Sequence, residues 1–272
     1  MESLENIVRK IKDPKLVGSK EIALIALNFL RQFCKKNGFK LKFEVAAKFL
    51  LEARPTSSVL HNCIENIKKD SKLRTIDNLI EYLETVDEKI YKQFNKKIRD
   101  GSKLITFCYI GEAFNTIVNS ILSKKKLGLI LIETSPAKIS IEAVRYLMKN
   151  KIHFTLVSRD SVGTFIKDSD TAIVGCDAIR KDGVVCKSGS LSLAIDARFN
   201  KKPMYVVANK MKGDDRKWFK VEEGPVREEF SNIKGLKYRN PAFELVPYSL
   251  ISGIITDTGV LKSSDVRKLI SK

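Results

Sequence analysis

Apolar positions recur with helical spacing through roughly the first hundred residues. Over 21–33 they are Ile22, Ala23, Leu24, Ile25, Ala26, Leu27, Phe29, Leu30 and Phe33, which cover nearly the whole helix circumference. A surface helix needs only one apolar stripe, so this pattern predicts a helix at the centre of a bundle. Amphipathic segments follow at about 40–53, 57–69 and 73–99, the last long and charged on one side. Asp13-Pro14 and Arg54-Pro55 punctuate them as helix starts or breaks.

The period changes at Gly101-Ser102. Short β-rich runs at 104–107, 127–132, 153–157, 171–174, 183–186, 204–207 and 253–256 then alternate with helical stretches. The helices fit at about 112–124, 140–150, 160–167 and 190–200. Apolar strands separated by crossover helices predict an α/β fold with a doubly wound, mostly parallel sheet. The expected organisation is a helical domain over 1–100 and a Rossmann-like domain over 101–272. Such sheets bind ligands outside the carboxyl ends of their strands, at the switch point.

Composition narrows the function classes. The chain has 272 residues, 43% hydrophobic, with 14 Gly and 7 Pro, which excludes low-complexity and long disordered readings. Net charge is +18, but the lysines are spread over 35–37, 68–70, 96–100 and 124–126 without interleaved aromatic residues. A solvated, lysine-rich surface of the heat-adapted kind fits this better than a nucleic-acid platform. A face for an acidic protein or RNA is the alternative. Five cysteines without CxxC spacing and two histidines argue against structural zinc, so no metal is expected. The odd cysteine count, without a signal peptide or a membrane-length apolar run, points to a reduced, cytoplasmic protein.

Reactive residues collect at the expected strand ends. Cys108 follows the run 104–107 and precedes a helix; a helix N-terminus would lower its pKa, or the thiol is a small buried hydrophobe. Asp177 follows 171–174, as a cap or as an acid/base group in the crevice. Glu133 ends its strand in the same way. Lys187-Ser188-Gly189-Ser190 opens a helix with free N–H groups, hydroxyls and an ammonium suited to phosphate, or with Ser190 as an ordinary cap. Lys212 could add a second phosphate contact or lie in solvent. No GxxxxGK[ST], GxGxxG, HExxH or GxSxG occurs, so no cofactor is implied. His61 and His153, in a helix and a strand, are read as structural.

Several separated motifs resemble one family. They are Gly175-Cys176-Asp177-Ala178-Ile179, the stretch from Asp182-Gly183 through Lys187–Ser190 to Leu193-Ala194, and Pro203-Met204-Tyr205-Val206-Val207-Ala208. Asn240-Pro241-Ala242-Phe243-Glu244 with Pro247, the segment 255–261, and Arg54-Pro55-Thr56-Ser57 complete the set. Together they resemble the initiation factor 2B alpha/beta/delta regulatory-subunit family, which includes ribose-1,5-bisphosphate isomerase and methylthioribose-1-phosphate isomerase. The resemblance implies a pocket for a sugar phosphate or nucleoside monophosphate, and dimers or higher oligomers through the C-terminal domain. Cys108 and Asp177 match the isomerases' proton-transfer positions, and Arg54, Lys187 and Lys212 match positions that hold phosphate or substrate oxygens; Gly18, Glu133, Ser188, Gly189 and Ser190 join them as substrate-binding candidates. Four departures stand out. Val17-Gly18-Ser19 replaces Arg-Gly-Ala, Tyr109-Ile110 replaces Asn-Ser, Ser135 replaces an arginine and Cys186 an asparagine. With two guanidiniums lost and a regulatory-like C-terminal segment, the resemblance favours an alpha-type regulatory subunit that binds a phosphorylated small molecule and assembles with itself or with initiation factor 2. A sugar-phosphate aldose–ketose isomerase using Cys108 and Asp177 is the alternative, and an RNA scaffold a third.

Overall fold

A computed structural model of the chain describes residues 2–13, 18–108, 111–134, 137–217, 221, 223–224, 226, 230–266 and 270. Five helices come first: α1 (Leu4–Lys12), α2 (Ser19–Asn37), α3 (Leu41–Ala53), α4 (Ser58–Lys69) and α5 (Leu73–Lys97). As the all-round apolar pattern requires, α2 is the central one, packing against the other four. Its Ala23, Leu27 and Leu30 are fully buried among Phe43 and Leu50 of α3 and Leu60 and Ile64 of α4. The long α5 leaves this core halfway along its length. Ile76 and Leu83 belong to the helical cluster, whereas Val86, Ile90 and Phe94 pack under the sheet.

The sheet is built from β1 (Lys103–Phe107), β2 (Gly128–Ile132), β3 (Thr155–Val157), β4 (Thr171–Gly175), β7 (Met204–Val207), β9 (Gly253–Thr256) and β10 (Gly259–Leu261). Their order is β10-β9-β7-β4-β1-β2-β3, parallel throughout except for the β10 edge. Side chains alternate strictly between two cores. Ile105, Ile130, Ala172, Val206 and Ile254 face α9 (Ser190–Phe199), while Leu104, Leu129, Ile173, Val207 and Ile255 face α5 and α6 (Glu112–Leu122). This period of two with both faces covered produces the continuous apolar runs of the sequence. The chain steps outward from β1 to β3, then returns to β4 on the other side of β1. The switch point therefore lies between β1 and β4.

Some expectations are corrected. The run 183–186 is not part of the large sheet: β6 (Gly183–Lys187) pairs antiparallel with β5 (Ala178–Ile179) and β8 (Phe243–Pro247) in a separate three-stranded sheet. Residues 176–182 are too few for the crossover a parallel neighbour needs. His153 precedes β3 and is not in a strand, and the helix expected at 160–167 is a 3-10 turn, one α-turn (α8, Val162–Phe165) and a second 3-10 turn. The helix α7 (Ala137–Lys149) lies where expected. No helix among the described residues is long and apolar enough to cross a membrane.

Candidate functional site

A cavity of about 500 Å³ opens at the switch point. Thr106 and Phe107 of β1 and Val174 and Gly175 of β4 form its floor, and the start of α2, Arg54 and Asp87 form the helical wall opposite. Gly18, Arg54, Asp177, Lys187, Ser188, Ser190 and Lys212 all line it, so the fold brings these candidates to one place. Cys108, Glu133 and Gly189 do not line it. Val17, Tyr109-Ile110 and Ser135 lie outside the described residues.

Lys212 is not a solvated lysine. It sits in a 3-10 turn after β7, buried, with Nζ donating to Glu112 Oε2 at 2.5 Å and to the Cys176 carbonyl at 2.6 Å. Burial disfavours its charge, but Glu112 and then the other acidic neighbours, Asp177 among them, outweigh burial and hold its pKa above the ordinary lysine range. The turn that carries it is tied to α4: Asn62 Nδ2 donates to the Met211 and Gly213 carbonyls at 2.7 and 2.6 Å, and Ser58 Oγ donates to Asp214 at 3.0 Å. Asp177 is placed by the antiparallel pairing, its N–H donating to Val185 O at 2.7 Å. Its carboxylate makes no hydrogen bond or ion pair among the described residues.

The start of α9 is already occupied. Glu244 Oε1 accepts from the N–H groups of Gly189 (2.6 Å) and Leu191 (2.8 Å), so the N–H groups expected to be free for phosphate are partly capped by a carboxylate. Ser190 Oγ donates back to Lys187 O at 2.7 Å rather than capping the first turn, and Ser188 Oγ donates to Pro241 O. Gly189 has φ +103°, and the Phe107 ring stands 3.1 Å from where a Cβ would be, so only glycine fits. Lys187 keeps its ammonium 4.1 Å from the centre of the Phe243 ring, at the cleft edge. Arg54 binds backbone, Nε donating to Ile11 O at 2.7 Å and Nη2 to Asp13 O at 2.8 Å.

Of the two readings of Cys108, the structure shows the buried thiol. Its side chain is fully buried, with Sγ donating to Ser140 O at 3.4 Å, and burial pushes its pKa up to about 11 instead of down. Glu133 is exposed and accepts from the Arg159 N–H at 3.4 Å. Cys186 is fully buried in the core and gives the cleft no polar group.

Sequence reasoning missed Glu112 and Arg159, both in the cleft wall. Glu112 was legible as an acidic residue in the first turn of the helix after β1, on the rule that strand ends carry the site. Among the described residues, no group of three or more His, Cys, Asp and Glu side chains could hold a metal ion.

A doubly wound sheet with a cavity of carboxylates and ammonium groups at its switch point places the chain in the Rossmann-like class of α/β folds, in which that point is the usual ligand position. The chain matches the initiation factor 2 subunit family over residues 15–263 and belongs to that family. The ribose 1,5-bisphosphate isomerase of Archaeoglobus fulgidus is 29% identical over 283 residues, covering 96% of this chain and 90% of the relative. A Pyrococcus furiosus protein named translation initiation factor eIF-2B subunit 2-like is 27% identical, with 96% of each chain covered. Among solved structures, the translation initiation factor eIF-2B of Pyrococcus horikoshii OT3 has a TM-score of 0.83 at 23% identity, covering 96% of this chain and 97% of the other; that likeness concerns the fold.

Proposed function

We propose that this protein is an aldose–ketose isomerase acting on a phosphorylated pentose in the switch-point cleft. The observation that carries the reading is Asp177: its carboxylate is uncommitted among the described residues, lines the cavity, and acts on the buried Lys212–Glu112 pair. Full-length relatives named as ribose 1,5-bisphosphate isomerase support it. In the reaction the C2 hydrogen moves to C1, the bond from C1 to the ring oxygen breaks, and the C2 hydroxyl proton ends on the former ring oxygen. The sum is redox-neutral. Asp177 would accept the hydroxyl proton. Cys108, kept as a neutral thiol by burial, would protonate the former ring oxygen once Sγ turns from Ser140 toward the cleft, and the proton taken up by Asp177 then returns to the thiolate, which restores both groups.

The test follows ribulose 1,5-bisphosphate formation from ribose 1,5-bisphosphate, with methylthioribose 1-phosphate as the second substrate. Turnover that disappears in Asp177→Asn and Cys108→Ser supports the reading. Turnover in wild type that persists in Asp177→Asn would sink the assigned role, and no turnover on either sugar would sink the isomerase.

A second reading has its own support. Cys108 points away from the cleft, Glu244 caps α9, and Cys186 is apolar there, all of which fit a cleft that binds without turning over. On that reading the protein is a regulatory subunit of the initiation factor 2B type in the cytoplasm. It senses a sugar phosphate or nucleoside monophosphate between a helical domain (1–100) and a sheet domain (101–272), and assembles through the latter. Absent turnover together with capture of initiation factor 2 would favour it.

A further inference from the structure

The cleft's basic residues are mostly committed. Lys20 is ion-paired with Asp87 and Lys212 with Glu112, Arg54 is bonded to two carbonyls, and Lys187 sits over Phe243. Arg159 differs. It lines the cavity, is half-buried, and its guanidinium has no hydrogen bond or ion pair among the described residues.

The backbone beneath it is fixed from several sides. Arg159 follows β3, at a strand's carboxyl end, and opens the 3-10 turn Arg159–Ser161. Ser161 N–H and Oγ both donate to Ser158 O, at 3.1 and 2.8 Å, and Ser158 Oγ donates to Ser161 Oγ at 2.9 Å. Glu133 Oε1 accepts the Arg159 N–H at 3.4 Å, and the Glu133 N–H donates to Val157 O at 3.0 Å. Glu133 thus holds the base of Arg159 and leaves the guanidinium unpaired. A rigid base with an uncommitted planar fork facing a cavity is the arrangement that binds a phosphate bidentately at least entropic cost.

From this geometry we infer that Arg159 is the phosphate anchor of the cleft, with Glu133 as its positioning residue. This rests on the reading of the cleft as a phosphorylated-pentose site, but it assigns the anchor to β3, away from α9 and Lys212. The ligand then lies with its phosphate at β3 and its sugar carbons toward Asp177.

Calorimetric binding of ribose 5-phosphate, ribose 1,5-bisphosphate and AMP to wild type, Arg159→Gln and Arg159→Lys tests the assignment. Arg159→Gln should weaken every phosphorylated ligand by about 10- to 100-fold, and Arg159→Lys should restore part of it. The melting temperature of the unliganded variants should stay at the wild-type value, which separates anchoring from folding. Pentose phosphates binding equally to wild type and Arg159→Gln would overturn the anchor while leaving the pentose site intact. Arg159-dependent binding of AMP without binding of either pentose would uphold the anchor and refute the substrate class. No binding of any of the three to wild type would refute both.

Discussion

Replacing Glu112 by alanine removes the counter-ion of a buried ammonium. The Glu112 and Lys212 side chains are only 8% and 6% exposed, and Nζ and Oε2 lie 2.5 Å apart. Breaking such a pair from one side costs about 3–5 kcal/mol, because the remaining charge is left in a medium that does not solvate it. Lys212 keeps the Cys176 carbonyl at 2.6 Å and the field of Asp177, which places the expectation near the lower end, at about 3 kcal/mol. For 272 residues the unfolding entropy is about 0.6 kcal/mol per degree, so Tm should fall by about 5 °C. Thermal denaturation of Glu112→Ala, Lys212→Met and the double variant measures it as a cycle. The double variant should be more stable than Glu112→Ala alone, since no unpaired charge remains. A single-variant loss below about 1 kcal/mol, or strictly additive losses, would refute the buried-pair reasoning. The sign with pH follows from the raised pKa. The stabilisation is complete below the ordinary lysine value of 10.5 and is lost as pH rises toward the higher folded-state value.

Other consequences are equally direct. Glu244→Ala uncaps α9 and should cost about 1–2 kcal/mol in chemical denaturation. Asp214, whose carboxyl Arg216 holds below its ordinary 3.8 in spite of burial, contributes stability present above 3.8 and lost as pH falls through the lower folded value. Asp214→Asn should therefore flatten the acid limb of the stability curve. Among the thiols, Cys34 and Cys108 are raised to about 11 and Cys63 and Cys176 to about 12, so native protein at pH 8 should show no fast reaction with an aromatic disulfide. A rapidly labelled Cys108 would instead show that its thiol reaches the cleft unaided.

The helical bundle and the strands of the large sheet other than the β10 edge were legible because each of their patterns has one solution. Apolar residues around all of 21–33 require a central helix, and runs such as 129–132 require burial on both faces. The strand β8 escaped because Glu244 and Pro247 interrupt its apolar character, and its one charge serves α9 rather than solvent. In the site, Asp177 follows from its place after β4, since the strand-end rule depends on topology alone, whereas Lys187 ends β6 of the separate antiparallel sheet, to which that rule does not apply. Cys108 obeyed the same positional rule, yet its thiol is turned from the cleft, because which way a side chain turns at a strand end depends on its neighbours; here Sγ donates to the Ser140 carbonyl of α7. Arg159 also follows a strand end, but what singles it out, the pairing of the other cleft cations, is not visible in the sequence.

The proposed isomerase requires a phosphorylated pentose to bind in the switch-point cavity rather than on another face. A crystal structure of the protein soaked with ribose 1,5-bisphosphate tests this most directly. The account predicts sugar density between β1 and β4, with a phosphate against Arg159 and the C2 hydroxyl within about 3 Å of Asp177. Density on another face, with the cleft holding solvent alone, would contradict it.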